Sequence, residues 1–327
     1  MTYLLILAGI AILLTGGELL VRNASRLSLS LGVTPLVVGL TVVALGTSAP
    51  EMMTSVYSQW IGQGSVAIGN VIGSNIFNVF AILGLSAVVA PLAVDTNLLR
   101  FDVPLVVVAS FAVLGFAYSG TIGRWEAAML AVGLFVYLFW SIKNGKSGQA
   151  PPVVEELQSA SEVVAPRSRH WAVLVLLTLV GLALIILGGR LFVSGAVDLA
   201  RTFDVSESVI GLTIVAAGTS MPELVTSMLA SYRGHREIAV GNVVGSNLFN
   251  LLGVLGISGL VGAEPLAVEE KLLTFDLPIM IIGALICLPM MASGGRLERW
   301  EGAVLFAGFL TYVTYLVVKE AGFIAAV

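Results

Sequence analysis

Long apolar runs alternate with short polar connections along almost the whole chain of 327 residues. Ten of these runs are long enough for a membrane-spanning helix, which needs roughly 20 residues to cross the hydrocarbon core. We predict spans at residues 3–21, 35–58, 66–91, 103–120, 125–142, 171–190, 206–231, 238–262, 275–293 and 300–318. The pattern therefore predicts an all-α integral membrane protein with ten transmembrane helices.

Two polar motifs inside these runs each occur twice, at a constant separation of 172 residues. GLTVVALGTSAPE at 39–51 returns as GLTIVAAGTSMPE at 211–223. GNVIGSNIFN at 69–78 returns as GNVVGSNLFN at 241–250. Each half contains five spans, so the second half enters the membrane from the opposite side. We thus predict two inverted-topology repeats.

The boundaries of the halves follow from the only long polar stretch, residues 143–170, which is rich in Pro, Ser and charge. We read it as a linker between a first five-helix repeat at 1–142 and a second at 171–327. The first apolar run has no positively charged segment before it and no small-residue cleavage site after it, so we interpret it as a retained span.

Composition narrows the class of protein. Hydrophobic residues make up 57% of the chain and charged residues 11%, which excludes an ordinary soluble domain. A single cysteine, Cys287, excludes disulfides and cysteine-based metal sites. There is no basic cluster that would indicate a nucleic-acid partner. We expect the lipid bilayer as the environment, with no cofactor and no obligate protein partner.

Placement of Lys and Arg predicts the orientation. With the N-terminus outside, 11 of the 16 basic residues lie on the cytoplasmic side and 5 on the outer side. We therefore expect an outward N-terminus and a cytoplasmic linker. The short linker is typical of a prokaryotic chain, and hence of the plasma (inner) membrane.

Polar side chains interrupt the second and seventh spans in a helical stripe, because positions i, i+3, i+4 and i+7 share one face. The stripe consists of Ala44, Thr47, Ser48 and Glu51 in the first repeat, and Ala216, Thr219, Ser220 and Glu223 in the second. A carboxylate near the bilayer centre costs about 2.5–3.5 kcal/mol, which makes it a candidate functional group.

Pro50 and Pro222 lack the N–H that would pair with the carbonyls of Gly46 and Gly218. We expect a kink at each, tolerated at this depth where it lines a cavity or is satisfied by protein. Carbonyls, hydroxyls and carboxylates are hard oxygen donors that suit Ca²⁺ and Na⁺. No His/Cys set for zinc is present.

The second motif adds further oxygen donors, which share a helix face at i and i+4: Ser74 with Asn78, and Ser246 with Asn250. Its glycines form GxxxG pairs that permit close helix approach. The remaining asparagines are expected to bridge neighbouring helices: Asn70, Asn75, Asn242 and Asn247.

Simpler interpretations exist for each residue alone. A membrane hydroxyl often bonds back to its own helix, and a lone buried Glu can be a protonated packing residue. Duplication of the set on oppositely oriented helices favours a shared ion site. Other acidic residues near span ends are expected to be interfacial: Glu18, Asp102, Glu126, Asp276 and Glu301.

These doubled GTSxPE and GSNxFN motifs resemble the two alpha-repeats of the cation/calcium exchanger superfamily, and most of all its prokaryotic sodium/calcium exchangers. The resemblance covers essentially the whole chain. It implies ion coordination by Glu51 and Glu223, with oxygens from the Thr and Ser of GTS and backbone carbonyls of Ala44 and Ala216 for Na⁺. Ser74, Asn78, Ser246 and Asn250 would complete the sites.

The resemblance also implies that spans one and six slide across the other eight, with the glycine pairs at 16–17 and 188–189 supplying a smooth surface. Several family members, including potassium-dependent exchangers, carry Asp at the position of Asn250. With Asn in both repeats, the fixed charge of the cavity is at most −2, which argues against K⁺ co-transport.

We therefore predict a secondary antiporter, not an enzyme, that exports Ca²⁺ in exchange for Na⁺ by alternating access. A Ca²⁺/H⁺ antiporter using the same two glutamates is the main alternative. A passive cation channel is a further one. An intramembrane metalloprotease is disfavoured, because HExxH is absent and no predicted span contains His.

Overall fold

A computed structural model describes residues 2–144, 171–203 and 216–320. Within these ranges, eight helices are long and apolar enough to cross a membrane, and a bent helix pair supplies a ninth span. Most of the predicted linker lies outside the described residues, as does the first part of the predicted seventh span. The remaining part of that span is helical, which agrees with the predicted all-α membrane architecture.

The helices of the first half are α1 (Thr2–Leu31), α2 (Pro35–Thr47), α3 (Ala49–Trp60), α4 (Gly64–Val89), α5 (Leu98–Ala117) and α6 (Arg124–Asn144). Those of the second half are α7 (Trp171–Thr202), α8 (Ala216–Thr219), α9 (Met221–Tyr232), α10 (Arg236–Val261), α11 (Leu272–Ala292) and α12 (Arg299–Glu320). Short wide-turn π segments lie within several of them. Two of these, Phe77–Leu83 and Phe249–Val254, occupy equivalent places in α4 and α10.

Two antiparallel pairings of short strands show that the repeats are inverted. The strands are β1 (Leu92–Ala93), β2 (Thr121–Ile122), β3 (Leu266–Ala267) and β4 (Arg296–Leu297). By sequence position β1 is equivalent to β3, and β2 to β4. However, β1 pairs with β4 and β2 pairs with β3. Since α5 separates β1 from β2 and crosses the membrane, equivalent loops of the two repeats lie at opposite faces.

The first and sixth spans are longer than predicted. The apolar windows end at 21 and 190, but α1 continues to Leu31 and α7 to Thr202. Beyond Arg22 the helix is amphipathic instead of uniformly apolar, and it buries Asn23, Ala24 and Leu27. A hydropathy window does not detect such a segment, although its backbone is helical. At 1.5 Å per residue both helices exceed the roughly 30 Å of the hydrocarbon core.

Glycines bring α1 and α7 into backbone contact along an antiparallel crossing. A Cβ on Gly16 would lie 2.8 Å from the carbonyl oxygen of Gly181, and one on Gly188 would lie 2.7 Å from the backbone nitrogen of Leu13. The second glycine of the first pair faces elsewhere, since a Cβ on Gly17 would meet the side chain of Leu229 in α9. The glycine pairs therefore serve two surfaces, one between the long helices and one towards the rest of the bundle.

Three acidic residues expected at the interface are buried instead: Asp102, Asp276 and Glu301. Asp102 is 3% exposed and Asp276 is 5% exposed, because α5 and α11 each begin several residues earlier than predicted. Asp102 accepts a hydrogen bond from the hydroxyl of Tyr137 at 3.0 Å, and Asp276 accepts one from Tyr312 at 2.8 Å. These bonds satisfy the carboxylates and tie neighbouring spans together in both repeats.

The helices α4 and α10 lie in the middle of the protein. The GxxxG glycines of α10 permit close approach as predicted, because Cβ atoms on Gly241 and Gly245 would lie 2.9 and 2.6 Å from the carbonyl oxygens of Leu36 and Leu40. The equivalent partner segment for Gly69 and Gly73 is 208–212, which lies outside the described residues. Contact between α10 and α2 thus holds the first polar motif against the second.

Candidate functional site

Both polar motifs of the second and seventh spans sit at a break in a helix. α2 and α3 meet at Ser48 with a bend of 45°, and the prediction of a kink is thus confirmed in the first repeat. Ser220 separates α8 from α9 with nearly the same backbone angles, φ −89° and ψ 12° against −80° and 8°. A proline occupies the first turn of α3 and of α9, where its missing N–H costs no helical hydrogen bond.

Each break places a glutamate in the first turn of the following helix: Glu51 in α3 and Glu223 in α9. The N-terminal turn of a helix carries exposed N–H groups and a partial positive charge, which stabilise an anionic side chain. The sequence order Ser, small residue, Pro, Glu therefore puts a carboxylate where the local backbone favours its charge. The break also turns that carboxylate away from lipid, since both glutamates are fully buried.

The two glutamates meet through a crossed pair of hydrogen bonds between the repeats. Ser48 Oγ donates to Glu223 Oε1 at 2.9 Å, and Ser220 Oγ donates to Glu51 Oε1 at 2.8 Å. All four side chains have 0% exposure. The prediction that acidic side chains from both halves share one site is therefore consistent with this geometry.

The second oxygen of each carboxylate is left unsatisfied. Glu51 Oε2 and Glu223 Oε2 are buried and have no hydrogen-bond partner among the described residues. Neither glutamate forms an ion pair with a basic residue in that part of the chain. Burying a charged oxygen without a partner is expensive. The arrangement therefore leaves two buried acidic oxygens that a nearby cation would stabilise.

Hydroxyl groups from α2 and from the central helices surround the carboxylates. Ser220 Oγ lies 3.2 Å from Ser74 Oγ, and Thr47 Oγ1 lies 3.5 Å from Ser246 Oγ. Thr47 also lies 3.1 Å from Asn242 Oδ1 and 3.3 Å from the carbonyl oxygen of Ala44. The site thus contains neutral oxygens from both repeats beside the two carboxylates.

The two candidate asparagines lie in the wide π turns of α4 and α10. Asn78 and Asn250 are fully buried. Asn78 Oδ1 and both polar atoms of the Asn250 side chain have no hydrogen-bond partner among the described residues. A π turn contains one more residue than an α-helical turn, so it changes the direction in which its side chains point. The two amide oxygens therefore have free electron pairs with which to coordinate a cation.

The last three candidate residues are the two alanines and Thr219. The carbonyl of Ala44 already accepts the N–H of Ser48 at 3.0 Å. Ala216 is helical and precedes the second break, as Ala44 precedes the first. Thr219 is partly exposed, whereas its counterpart Thr47 is fully buried. The two halves of the site are therefore similar in composition without being identical in enclosure.

Asn70 and Asn242 connect the broken spans to the central helices, as expected for bridging residues. Asn70 Nδ2 donates to Ser55 Oγ at 2.9 Å and to the carbonyl of Glu51 at 3.3 Å. Asn242 Nδ2 makes the equivalent bonds to Ser227 Oγ at 2.9 Å and to the carbonyl of Glu223 at 3.4 Å. Ser55 and Ser227 were absent from the predicted set, although their i+4 spacing from each glutamate indicates the same face.

Chemically, the site suits a hard cation. It combines two carboxylates with hydroxyl and amide oxygens, the ligand types preferred by Ca²⁺, which takes 6–8 of them. No group of three or more His, Cys, Asp or Glu residues that could hold a metal ion occurs in the described ranges, so the two glutamates are the acidic part of the site. The neutral ligands leave a fixed charge of at most −2.

Inverted repeats with a polar site between broken helices in the membrane define the class of secondary ion transporters. A family model described as "Sodium/calcium exchanger protein" matches residues 1–143 and 173–318, and the chain belongs to this family. It is thus an integral membrane protein of a family whose members include exchangers and antiporters.

Individual relatives match over nearly their full length. The chain is 34% identical over 310 residues to the putative antiporter CaxA of Alkalimonas amylolytica, covering 94% of this chain and 96% of that one. It is 32% identical over 346 residues to the sodium/calcium exchanger MaX1 of Methanosarcina acetivorans, covering 97% of both. A solved structure of the sodium-calcium exchanger NCX_Mj, soaked with 10 mM Na⁺ and zero Ca²⁺, aligns with a TM-score of 0.79 and 30% identity. That alignment covers 96% of this chain and 98% of that one.

Proposed function

We propose that this protein exchanges Na⁺ for Ca²⁺ across the membrane, with both ions competing for the site built around Glu51 and Glu223. The observation that carries the proposal is the crossed pair of Ser–Glu hydrogen bonds, which brings one buried carboxylate from each repeat to a common centre. Each carboxylate keeps one oxygen without a partner, and neutral oxygens surround the pair. A bound cation would supply the missing partner for these carboxylate oxygens.

Charge balance gives a mechanism for obligatory exchange. One Ca²⁺ neutralises two carboxylates, whereas several Na⁺ occupy overlapping oxygen sites with a total charge greater than that of one Ca²⁺. An empty site would carry two uncompensated charges in a low-dielectric interior, which disfavours passage of the empty carrier between the two faces. The protein therefore switches between its outward-facing and inward-facing conformations when ions are bound. Unequal charge on the two loads makes the exchange electrogenic.

Each candidate ligand has a role in this scheme. Glu51 and Glu223 bind the divalent ion directly, and Ser48 and Ser220 hold one oxygen of each carboxylate in place. Thr47 and Thr219 supply further oxygens, as do the hydroxyl and amide side chains of the central helices. The carbonyls of Ala44 and Ala216 serve Na⁺, which binds neutral oxygens well. The central set is Ser74, Asn78, Ser246 and Asn250.

The names of the relatives support Na⁺ as the counter-ion. MaX1 is described as a sodium/calcium exchanger, and NCX_Mj structures were obtained with Na⁺, with Ca²⁺ and with Sr²⁺. We further propose that the N-terminus faces outward, that the linker is cytoplasmic, and that Ca²⁺ leaves a prokaryotic cell as Na⁺ enters. The functional division into repeats at 1–142 and 171–327 belongs to the same proposal.

Substitution of either glutamate tests the site. Glu51→Gln and Glu223→Gln each remove one charge, so we expect Na⁺-driven uptake of radioactive Ca²⁺ into proteoliposomes to fall at least about 100-fold, as for the loss of a directly bound charged ligand. Glu270→Gln, at an exposed helical position just before α11, is the matched control and should transport at the wild-type rate. Wild-type flux in either site variant would contradict the assigned role.

The choice of counter-ion needs a separate comparison, because two buried carboxylates can also carry protons. Vesicles with a Na⁺ gradient at equal pH should accumulate Ca²⁺, and vesicles with only a pH gradient should not. The opposite result would identify a Ca²⁺/H⁺ antiporter. Ca²⁺ flux that needs neither counter-ion would identify a passive channel.

A further inference from the structure

Four buried asparagines on α4 and α10 form two pairs that the repeat relates to each other. Replacing each residue by its repeat equivalent, 172 positions away, converts the pair Asn78 and Asn247 into the pair Asn250 and Asn75. All four side chains are at most 2% exposed. Because the sequence around them is nearly the same in both motifs, equal conformations of the repeats would give both pairs the same contact.

The two pairs have different contacts. Asn78 Nδ2 donates to Asn247 Oδ1 at 3.0 Å. In the equivalent pair, both polar atoms of Asn250 and the Oδ1 of Asn75 have no partner among the described residues. Asn75 Nδ2 instead donates to the carbonyl of Val71 in its own helix at 2.7 Å. One amide–amide bond is therefore formed, and its counterpart is open.

An open pair of buried amides has a cost, because each unsatisfied polar group forfeits its hydration without gaining a bond. In an inverted-repeat transporter the two repeats exchange their conformations around a fixed site, and the predicted movement slides α1 and α7 across the other helices that line it. If the halves exchange their conformations in that movement, the open pair closes and the closed pair opens. The difference between the pairs then distinguishes the two facing directions.

We propose that Asn247 and Asn75 are positioning residues that act alternately. Asn247 holds the amide of Asn78 in the conformation described here, which leaves Asn78 Oδ1 free to face a cation. Asn75 holds Asn250 in the same way in the oppositely facing conformation. The inference rests on the proposed exchange function, and it adds two residues outside the ligand set whose effect depends on the conformation.

Leucine substitutions separate the two roles by sign. Asn247→Leu removes the acceptor that stabilises the present conformation. Asn75→Leu removes an unsatisfied oxygen in that conformation and the acceptor in the other one. We expect the equilibrium to shift in opposite directions, each by about fivefold, the change supported by one hydrogen bond of ordinary net strength. The double variant should return close to the wild-type ratio.

Cysteine labelling measures the equilibrium without any transport. In a Cys287→Ala background, single cysteines replace Ala49 or Met221, which are repeat-related, partly buried and beside the two helix breaks. A water-soluble thiol reagent labels them at rates whose ratio reports the facing direction. Asn247→Leu and Asn75→Leu should move this ratio in opposite senses. Asn247→Asp, which keeps an acceptor oxygen, should restore it.

Ratios that move in the same sense, or not at all, would overturn the inference, whether or not the protein transports Ca²⁺. A double variant no closer to wild type than the single variants would do so as well. Absence of Na⁺-dependent Ca²⁺ flux in the wild-type protein would instead contradict the proposed function. Labelling and flux therefore report on the two proposals separately.

Discussion

At the scale of single residues, the neutral side chain of Asn250 limits the charge of the site. Asn250→Asp would add a third carboxylate to a fully buried position. Metal ligands must be deprotonated to bind, so the affinity of this variant for Ca²⁺, relative to wild type, should rise with pH by up to about tenfold per pH unit. Isothermal titration with Ca²⁺ at several pH values measures this ratio. A ratio that is independent of pH would show that position 250 lies away from the ion.

His235, in the connection between α9 and α10, predicts a pH dependence of stability. Partial burial of the ring lowers its pKa, and the nearby Glu18 carboxylate opposes this effect. The folded protein thus favours neutral histidine, while the unfolded chain takes up a proton near pH 6.5. The free energy of unfolding should decrease as pH falls below that value.

His235→Gln provides the control for this dependence, because Gln63 occupies the equivalent position in the first repeat. Thermal unfolding in detergent, followed between pH 7.5 and pH 5.5, should show a smaller loss of stability in the variant than in the wild-type protein. Identical pH profiles would assign the acid sensitivity to other groups.

At the scale of elements, the contact between α1 and α7 depends on glycines without side chains. A Cβ on Gly16 would lie 2.8 Å from both the carbonyl oxygen of Gly181 and the backbone nitrogen of Ile185. Gly16→Val should therefore separate the two helices and destabilise the protein by about 1–3 kcal/mol, the usual cost of overpacking. Gly115→Val is the matched control, since Gly115 is exposed in α5 with nothing within 4 Å of a Cβ. Equal melting temperatures for the two variants would contradict this packing.

Periodicity and duplication predict most of these elements and the composition of the site. The helix breaks follow from proline chemistry, and the meeting of Glu51 with Glu223 follows from the inverted repeat. Hydropathy misses the ends of α1 and α7, because it measures apolar content and these ends are amphipathic. It also misses the π turns, since a wide turn has the same composition as an ordinary one.

The difference between the two asparagine pairs was not predictable from the sequence for another reason. The motifs that carry them are nearly identical, so the open and closed pairs differ by conformation and not by residue type. The sequence predicts the same environment for Asn75 and Asn247. Only the relative placement of the repeats separates them.

At the scale of the whole molecule, the two repeats are held together at both faces and at the centre. The β1–β4 pairing joins the halves at one face, and the β2–β3 pairing joins them at the other. Between these lie the crossed Ser–Glu bonds of the site.

The inverted arrangement makes the orientation of the chain testable at either strand pairing. Basic residues favour placing the N-terminus outside, which puts the loop containing β4, with exposed Arg296, on the cytoplasmic side and the loop containing β2 on the outer side. In a Cys287→Ala background, a cysteine in place of exposed Ser119, beside β2, should react with an impermeant thiol reagent in intact cells. A cysteine in place of exposed Ser293, before β4, should react only after the membrane is opened. The reverse pattern would invert the proposed orientation.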